Sequence, residues 1–319
     1  MKLSIVIPVY NEAENLVSLL DELYHAMEKE SYPWEVIFVD DGSVDTSWEV
    51  IKKFAEADPT RVIAISFRRN FGQTAAIEAG IDHAMGDVIV FMDADMQNDP
   101  NDIPMMLEKI YEGYDLVSGW RVNRKDNYLL RVMPSRIANA LISWVTGVRL
   151  HDYGCTLKAY RRDVITGFRL YGEMHRFIPA YAGSVGAKII EVPVNHRPRR
   201  FGKTKYGLER TIKVILDLVT VKFLISYALK PIYLFGGTGL FLMILSALTL
   251  LFLMIRRIWL EIPVSTSPFL PTATMLMILG FQSILMGLIA ELLVRTYHEA
   301  QSKPTYKIRE VISSKKEGK

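Results

Sequence analysis

With a single cysteine, Cys155, among 319 residues, the chain can form no intrachain disulfide and no zinc cluster built on thiolates. A reducing, cytosolic setting fits that poverty. A dominant charge is also missing: 38 Lys and Arg stand against 35 Asp and Glu, a formal net charge of +3, too little and too evenly mixed for nucleic acid to be the main partner. The six histidines are scattered without a pair at metal-ligand spacing, so none is assigned to a metal. Disorder is excluded by a composition that is 50% hydrophobic and 23% charged, which can fill one full-sized globular domain and a smaller accessory region. The short apolar run Leu3 to Val9 meets Glu12 and Glu14 within a few residues and lacks a small-residue cleavage site, so it reads as a strand and not as a signal peptide.

From Met1 to Gly119, short β-branched runs alternate with segments of helical period, the pattern of a parallel sheet with crossover helices. Strands are predicted over Leu3 to Pro8, Glu35 to Val39, Val62 to Phe67, Val88 to Met92 and Leu116 to Gly119. Helices are predicted over Asn15 to Glu28, Thr46 to Ala57, Thr74 to Met85 and Pro104 to Glu112. The class is α/β. Trp120 to Tyr206 is richer in Arg, Gly and Pro, less periodic, and reads as the acceptor half of the same domain.

Charge then disappears: Pro231 to Ile255 and Ile262 to Ala290 contain no charged residue. At about 1.5 Å per residue either stretch can cross a hydrocarbon core of about 30 Å, so two transmembrane helices forming a hairpin are predicted, in preference to a buried soluble hairpin. Gly236-Gly237-Thr238-Gly239 inside the first reads as close helix packing, not as a phosphate loop. Before it, apolar positions recur among Arg210, Lys213, Asp217 and Lys222, as in an amphipathic helix lying in the membrane interface or packed on the domain. The expected organisation is thus a catalytic domain over 1–206, interfacial helices over 207–229, two spans over 230–296 and a cytoplasmic tail over 297–319. Lys222, Lys230, Arg295 and Lys303 favour cytoplasmic termini, although Arg256 and Arg257 in the connecting loop pull the other way. In the tail, the strand-like Tyr306 to Ile312 is expected to pair with a neighbouring subunit.

Two acidic clusters follow directly on apolar runs, where ligands bind in such sheets. Asp93-Ala94-Asp95 can hold a hard cation, Mg²⁺ or Mn²⁺, with Gln97 close enough to add an amide oxygen, and such a cation neutralises a diphosphate leaving group. Paired aspartates also cap helices and turns, so the motif alone is weak. Asp40 and Asp41 end a second strand and can accept hydrogen bonds from a base N–H or ribose hydroxyls, or can serve the Asp-Gly-Ser turn itself.

Taken together and in order, Ser4-Ile5-Val6-Ile7-Pro8-Val9-Tyr10-Asn11-Glu12, Val39-Asp40-Asp41-Gly42-Ser43, Arg69-Asn70-Phe71-Gly72-Gln73, Asp93-Ala94-Asp95-Met96-Gln97 and Asp152-Tyr153-Gly154-Cys155 resemble family 2 glycosyltransferases acting on polyprenyl phosphates. The resemblance is strongest to bacterial undecaprenyl-phosphate sugar transferases, the aminoarabinose transferase included, and more distant to dolichol-phosphate mannose synthases, some of which lack the hydrophobic hairpin. It implies a GT-A nucleotide-sugar domain, an inverting reaction and, in several relatives, a tetramer. It places Pro8, Tyr10, Glu12, Asp40 and Asp41 around the nucleotide and Asp93, Asp95 and Gln97 around metal and diphosphate. Asp152 becomes a candidate to orient the sugar or assist the acceptor, with a turn role as the alternative.

A phosphate monoester carries close to two negative charges at neutral pH, given a second pKa of about 6, and needs little help from a base. The site must instead align phosphate with the anomeric carbon and hold two polyanions together. Basic groups suited to this are Arg121, then Arg131 with Ser135 and Arg136, and the loop Arg197 to Tyr206 with Arg200, Lys203 and Lys205. A solvated basic loop or contact with anionic headgroups is the alternative for the latter. The expected acceptor is polyprenyl (undecaprenyl) phosphate at the cytoplasmic membrane. For the donor, UDP-glucose comes first, with an aminoarabinose derivative or mannose as alternatives. A processive polysaccharide synthase should carry Gln-x-x-Arg-Trp and more spans, and this chain has neither. A non-catalytic scaffold or lipid-linked sugar translocator would not need Asp93, Asp95 and Gln97 intact.

Overall fold

The computed structural model describes residues 1–28, 30–122, 133–166, 174–198, 218, 232–300 and 308–312. They divide into two compact units, Met1–Val221 with Pro304–Lys319, and Lys222–Lys303.

The first unit is built on strands β1 (Leu3–Val9), β2 (Trp34–Asp40), β3 (Val62–Phe67), β4 (Val88–Phe91), β5 (Leu116–Trp120), β6 (Lys158–Arg161), β7 (Ile189–Pro193) and β8 (Ile308–Ile312). Among the described residues they form one sheet in the order β7-β5-β6-β4-β1-β2-β3-β8. β1 pairs in parallel with β2 and β4, β2 with β3, and β5 with β7. Since β6 runs antiparallel to both β4 and β5, all strands except β6 and β8 point the same way. One edge of the sheet therefore gathers the carboxyl ends of β1, β2, β4 and β5 together with the amino end of β6.

Helices α1 (Ala13–Met27), α2 (Ser47–Ala57) and α4 (Ile103–Tyr111) cover one face. The reason is visible in α1, where Leu16, Leu19, Leu23 and Met27 recur at helical spacing and are all buried. They join Ile5, Ile7, Phe38, Ile51, Val90, Met106 and Ile110 in the core, each such side chain contributing about 1.5–3 kcal/mol on leaving water. Between α2 and α4, α3 (Gln73–His83) packs on β1 on the other face. A Cβ on Gly80 would stand 2.1 Å from Val6 Cγ1, so only glycine lets α3 lie this close. α5 (Met133–Thr146), α6 (Arg162–Ile165) and α7 (Ile178–Ser184) complete the unit. The expected strands and the helices between them form within a few residues of their predicted bounds. β6, β7 and α5 arise in the stretch whose pattern is less periodic. The strand predicted in the tail forms as β8, but it pairs with β3 of its own chain, Ile65 opposite Val311. β3 would otherwise be an open edge.

The second unit is a hairpin of α8 (Ile232–Leu260) and α9 (Phe269–Ala300) joined through a short turn at Val264–Thr266. Ile232–Leu260 and Phe269–Ala290 are long and apolar enough to cross a membrane. The helices meet backbone to backbone: a Cβ on Gly239 would lie 2.5 Å from the Gly280 carbonyl oxygen. Ser246 Oγ donates to the Ala273 carbonyl at 2.6 Å and Ser283 Oγ to the Phe235 carbonyl at 2.8 Å, a seam of small residues and interhelical hydrogen bonds. The glycine cluster thus serves helix packing at Gly239, whereas Gly237 faces open space. Of the predicted interfacial segment 207–229, only Leu218 is described.

Candidate active site

The site is assembled where the strand ends converge. Asp40 closes β2 and accepts hydrogen bonds from Ser43 N at 3.2 Å and Ser66 Oγ at 3.2 Å. The next carboxylate, Asp41, accepts the backbone N–H of Phe71 at 2.7 Å and of Gly72 at 2.9 Å. The two loops touch at Gly42, whose φ of 69° favours glycine and whose Cβ would fall 2.5 Å from the Arg69 carbonyl carbon. Burial raises the pKa of both aspartates, that of Asp41 to about 6. After β1 the chain turns at Asn11, φ 52°, and Asn11 Oδ1 accepts Val44 N at 2.9 Å, which ties the β1 and β2 loops together. Pro8, Tyr10 and Glu12 lie along this crevice, Glu12 N donating to Ser47 Oγ at 3.0 Å and Glu12 Oε2 accepting Asn15 Nδ2 at 2.7 Å.

Asp93 and Asp95 follow β4. Gln73, in the first turn of α3, donates Nε2 to Asp93 Oδ1 at 2.9 Å, and the Thr156 hydroxyl reaches the same carboxylate. Burial and the neighbouring Asp95 push the Asp93 carboxyl up to about 6, against Thr156, Arg121 and Lys158, which favour its ionised form. Asp95 Oδ1 accepts Gln97 N at 3.1 Å, and Gln97 Nε2 donates to the Arg197 carbonyl at 3.3 Å, which leaves the Gln97 amide oxygen as the atom able to ligate. No cluster of three His, Cys, Asp or Glu occurs among the described residues. Two carboxylates and an amide nevertheless suit Mg²⁺ or Mn²⁺, which take hard oxygen donors and complete their shell from water and substrate phosphate.

Arg121, just past β5, grips Asp152 with two parallel hydrogen bonds, Nε to Oδ2 at 2.7 Å and Nη2 to Oδ1 at 2.8 Å. Burial opposes the Arg121 charge, but Asp152 outweighs it and raises the guanidinium pKa. β6 then brings a second cation to the same place: Lys158, 3% exposed, donates Nζ to the carbonyls of Tyr153 and Cys155, and burial lowers its pKa. His175 Nδ1 meets Thr74 Oγ1 at 2.7 Å, tying the segment before α7 to the start of α3.

The structure thus brings together Asp93, Asp95, Gln97, Arg121 and Asp152, with Asp40 and Asp41 at the end of β2, across β1 from β4. Arg131, Arg200, Lys203 and Lys205 lie outside the described residues, as does the side chain of Ser135 on α5. Arg197, at the head of the basic loop, departs from a phosphate role: it pairs with Glu22 at 2.6 Å and Asp99 at 2.7 Å and clamps the loop after Asp95 to α1. Sequence reasoning assigned nothing to Gln73, Thr156 or Lys158. Only Gln73 carried a signal, as the last residue of the Arg69-to-Gln73 stretch.

The fold is that of glucosyl-3-phosphoglycerate synthase from Mycobacterium tuberculosis. Its complex with Mn²⁺, UDP and phosphoglyceric acid matches with a TM-score of 0.52 at 17% identity, over 70% of this chain and 78% of that one. Along nearly its whole length the chain is similar to two kinds of curated protein. It is 42% identical to the dodecaprenyl-phosphate galacturonate synthase of Rhizobium johnstonii, over 98% of this chain and 93% of that protein. It is 39% identical to the undecaprenyl-phosphate 4-deoxy-4-formamido-L-arabinose transferase of Salmonella choleraesuis, over 98% and 94%. Residues 4–168, from β1 to just beyond α6, match the description Glycosyl transferase family 2. With its GT-A sheet and the paired aspartates at the end of β4, the chain belongs to glycosyl transferase family 2.

Proposed function

We propose that this enzyme transfers a sugar, with inversion, from a UDP-linked donor to a polyprenyl phosphate at the cytoplasmic face of the inner membrane. The observation that carries the reading is the meeting of Asp93 and Asp95 with the Arg121–Asp152 pair at the carboxyl edge of the sheet. Asp40 and Asp41, with Pro8, Tyr10 and Glu12, bind the nucleotide. When bound, Mg²⁺ or Mn²⁺ at Asp93, Asp95 and Gln97 supplies positive charge to the departing diphosphate. Arg121 stays protonated throughout and presents its fixed charge to the same side, held in place by Asp152. Asp152 orients Arg121, each of its oxygens accepting one guanidinium N–H. Arg131, Ser135, Arg200, Lys203 and Lys205 grip the acceptor phosphate.

Glucose, first in the sequence reading, yields to the sugars named for the full-length relatives, a galacturonate or a 4-formamido-arabinose. Membrane attachment is supported by the two apolar helices. That β8 follows both of them and is bonded into the same sheet as β1 supports a chain that leaves the catalytic unit and returns to it on one side of the bilayer. By resemblance the assembly is a tetramer, checked by its mass in detergent. To test the activity, the purified chain is incubated with undecaprenyl phosphate, Mn²⁺ and a panel of UDP-sugars, and the lipid product is identified by mass. A glycolipid from the uronic acid or amino-pentose donor, and little from UDP-glucose, is expected. Absence of any lipid-linked sugar overturns the reading.

A further inference from the structure

The stretch Arg69 to Gln73 has no part in the chemistry assigned so far, yet it touches both acidic clusters. Asp41, 3% exposed, accepts the backbone N–H of Phe71 at Oδ1 and that of Gly72 at Oδ2. The contact at Gly42 fixes the other side of the same loop. The residue that follows immediately is Gln73, whose amide is thereby delivered to Asp93 Oδ1. Carboxylates that ligate a cation need their oxygens aimed by neighbouring donors, and such partners govern affinity although they never touch the ion.

From this geometry we infer that Gln73 is a positioning residue for the cation site, aiming the Asp93 carboxylate, and that Asp41 acts through it by bracing the 71–73 backbone. The inference rests on the proposed metal role of Asp93 and Asp95. Gln73 has no charge to contribute and is turned to Asp93 by its Nε2, the only group of its amide that can donate to a carboxylate. Its neighbour Asp95 is restrained separately, through Gln97 N, so the two ligands have independent supports.

The test uses the full-length chain in detergent, titrated with Mn²⁺ alone, with free Mn²⁺ read by electron paramagnetic resonance and the melting midpoint measured in parallel. Gln73→Leu is expected to weaken Mn²⁺ binding by about tenfold, the lower end for loss of such a partner, without moving the melting midpoint. Gln73→Met, closer in shape, should lose the same affinity. Asp41→Asn removes one acceptor from the Phe71 and Gly72 amides. If it acts through Gln73, the double variant binds Mn²⁺ no more weakly than the weaker single variant. Wild-type affinity in both Gln73 variants overturns the inference, and a fully multiplicative double variant overturns the link through Asp41. Asp95→Asn separates the two levels: if it too binds Mn²⁺ like the wild type, the metal site is misplaced and the inference falls with it. If Asp95→Asn alone loses the ion, only the role of Gln73 is refuted.

Discussion

Asp152 shows how a motif can single out a residue and leave its role open. Its position in the Asp152-Tyr153-Gly154-Cys155 turn marked it for the site, but only the fold reveals that its two oxygens are both claimed by Arg121. A pair this buried is costly to break because the survivor is left charged and unpaired. Asp152→Leu is therefore expected to lower the stability of the catalytic unit by about 3–5 kcal/mol, measured as unfolding in urea. Arg121→Lys should keep the charge but lose the two-pronged grip, cutting turnover more than donor affinity. Asp41 gives a pH signature. Its carboxyl is raised from 3.8 to about 6 by burial, so in that interval folding takes up a proton. The stability it contributes is complete below the ordinary carboxylate range and is lost as the pH climbs to about 6. Melting midpoints of wild type and Asp41→Asn should lie closest in acid, where both side chains are neutral, and separate as the pH climbs through this window with the wild type falling relative to the variant; a constant difference would refute it. Asp93 and Asp95 stood out as candidates only within the ordered set of motifs, because acids after an apolar strand also serve caps and turns. Gln73 and Lys158 did not, because a neutral amide and a lysine carry no signature until the fold shows what they face.

At the scale of elements, legibility tracked periodicity. β1 to β5 announce themselves as β-branched runs, and Val62 to Phe67 was predicted to the residue. β6 hid because it is four residues long, begins with a charged Lys158 and carries Arg161, yet its first three residues are buried between β4 and β5. A buried lysine satisfied by carbonyls breaks the rule that makes strands readable. Gly80 offers the test of element packing. Gly80→Ala must push α3 off Val6, an overpacking expected to cost about 1–3 kcal/mol, seen as a lower melting midpoint. Because α3 begins with Gln73, the same substitution should also weaken Mn²⁺ binding, whereas an overpacking confined to the core would leave the ion untouched. In the hairpin, Gly280→Leu cannot be accommodated against the Gly239 carbonyl, 2.7 Å from the would-be Cβ. Loss of a disulfide between cysteines placed across the seam would report it.

For the whole molecule, the sequence displayed the charge-free stretches but not the pairing of the tail strand with the catalytic sheet. The change to charge-free helices was plain, and its reason is physical, since no soluble surface tolerates so long an apolar run. What composition did not disclose is that residues beyond the second span belong to the first unit, because pairing partners of an edge strand leave no mark in the strand itself. Truncation after Lys303 is expected to open β3 and produce a protein that melts earlier and scatters light on concentration. An unchanged midpoint and clear solution would show that β8 is dispensable.

That strand also sets an order of events during synthesis. A ribosome has finished both apolar helices before Ile308–Ile312 leaves its exit tunnel, so the insertion machinery receives the hairpin while the catalytic sheet is still short of one edge. On the proposed membrane reading the enzyme is completed only after it has been anchored, and a nascent chain that misses the bilayer carries its uncovered apolar helices and its unpaired β3 together into the hands of quality control.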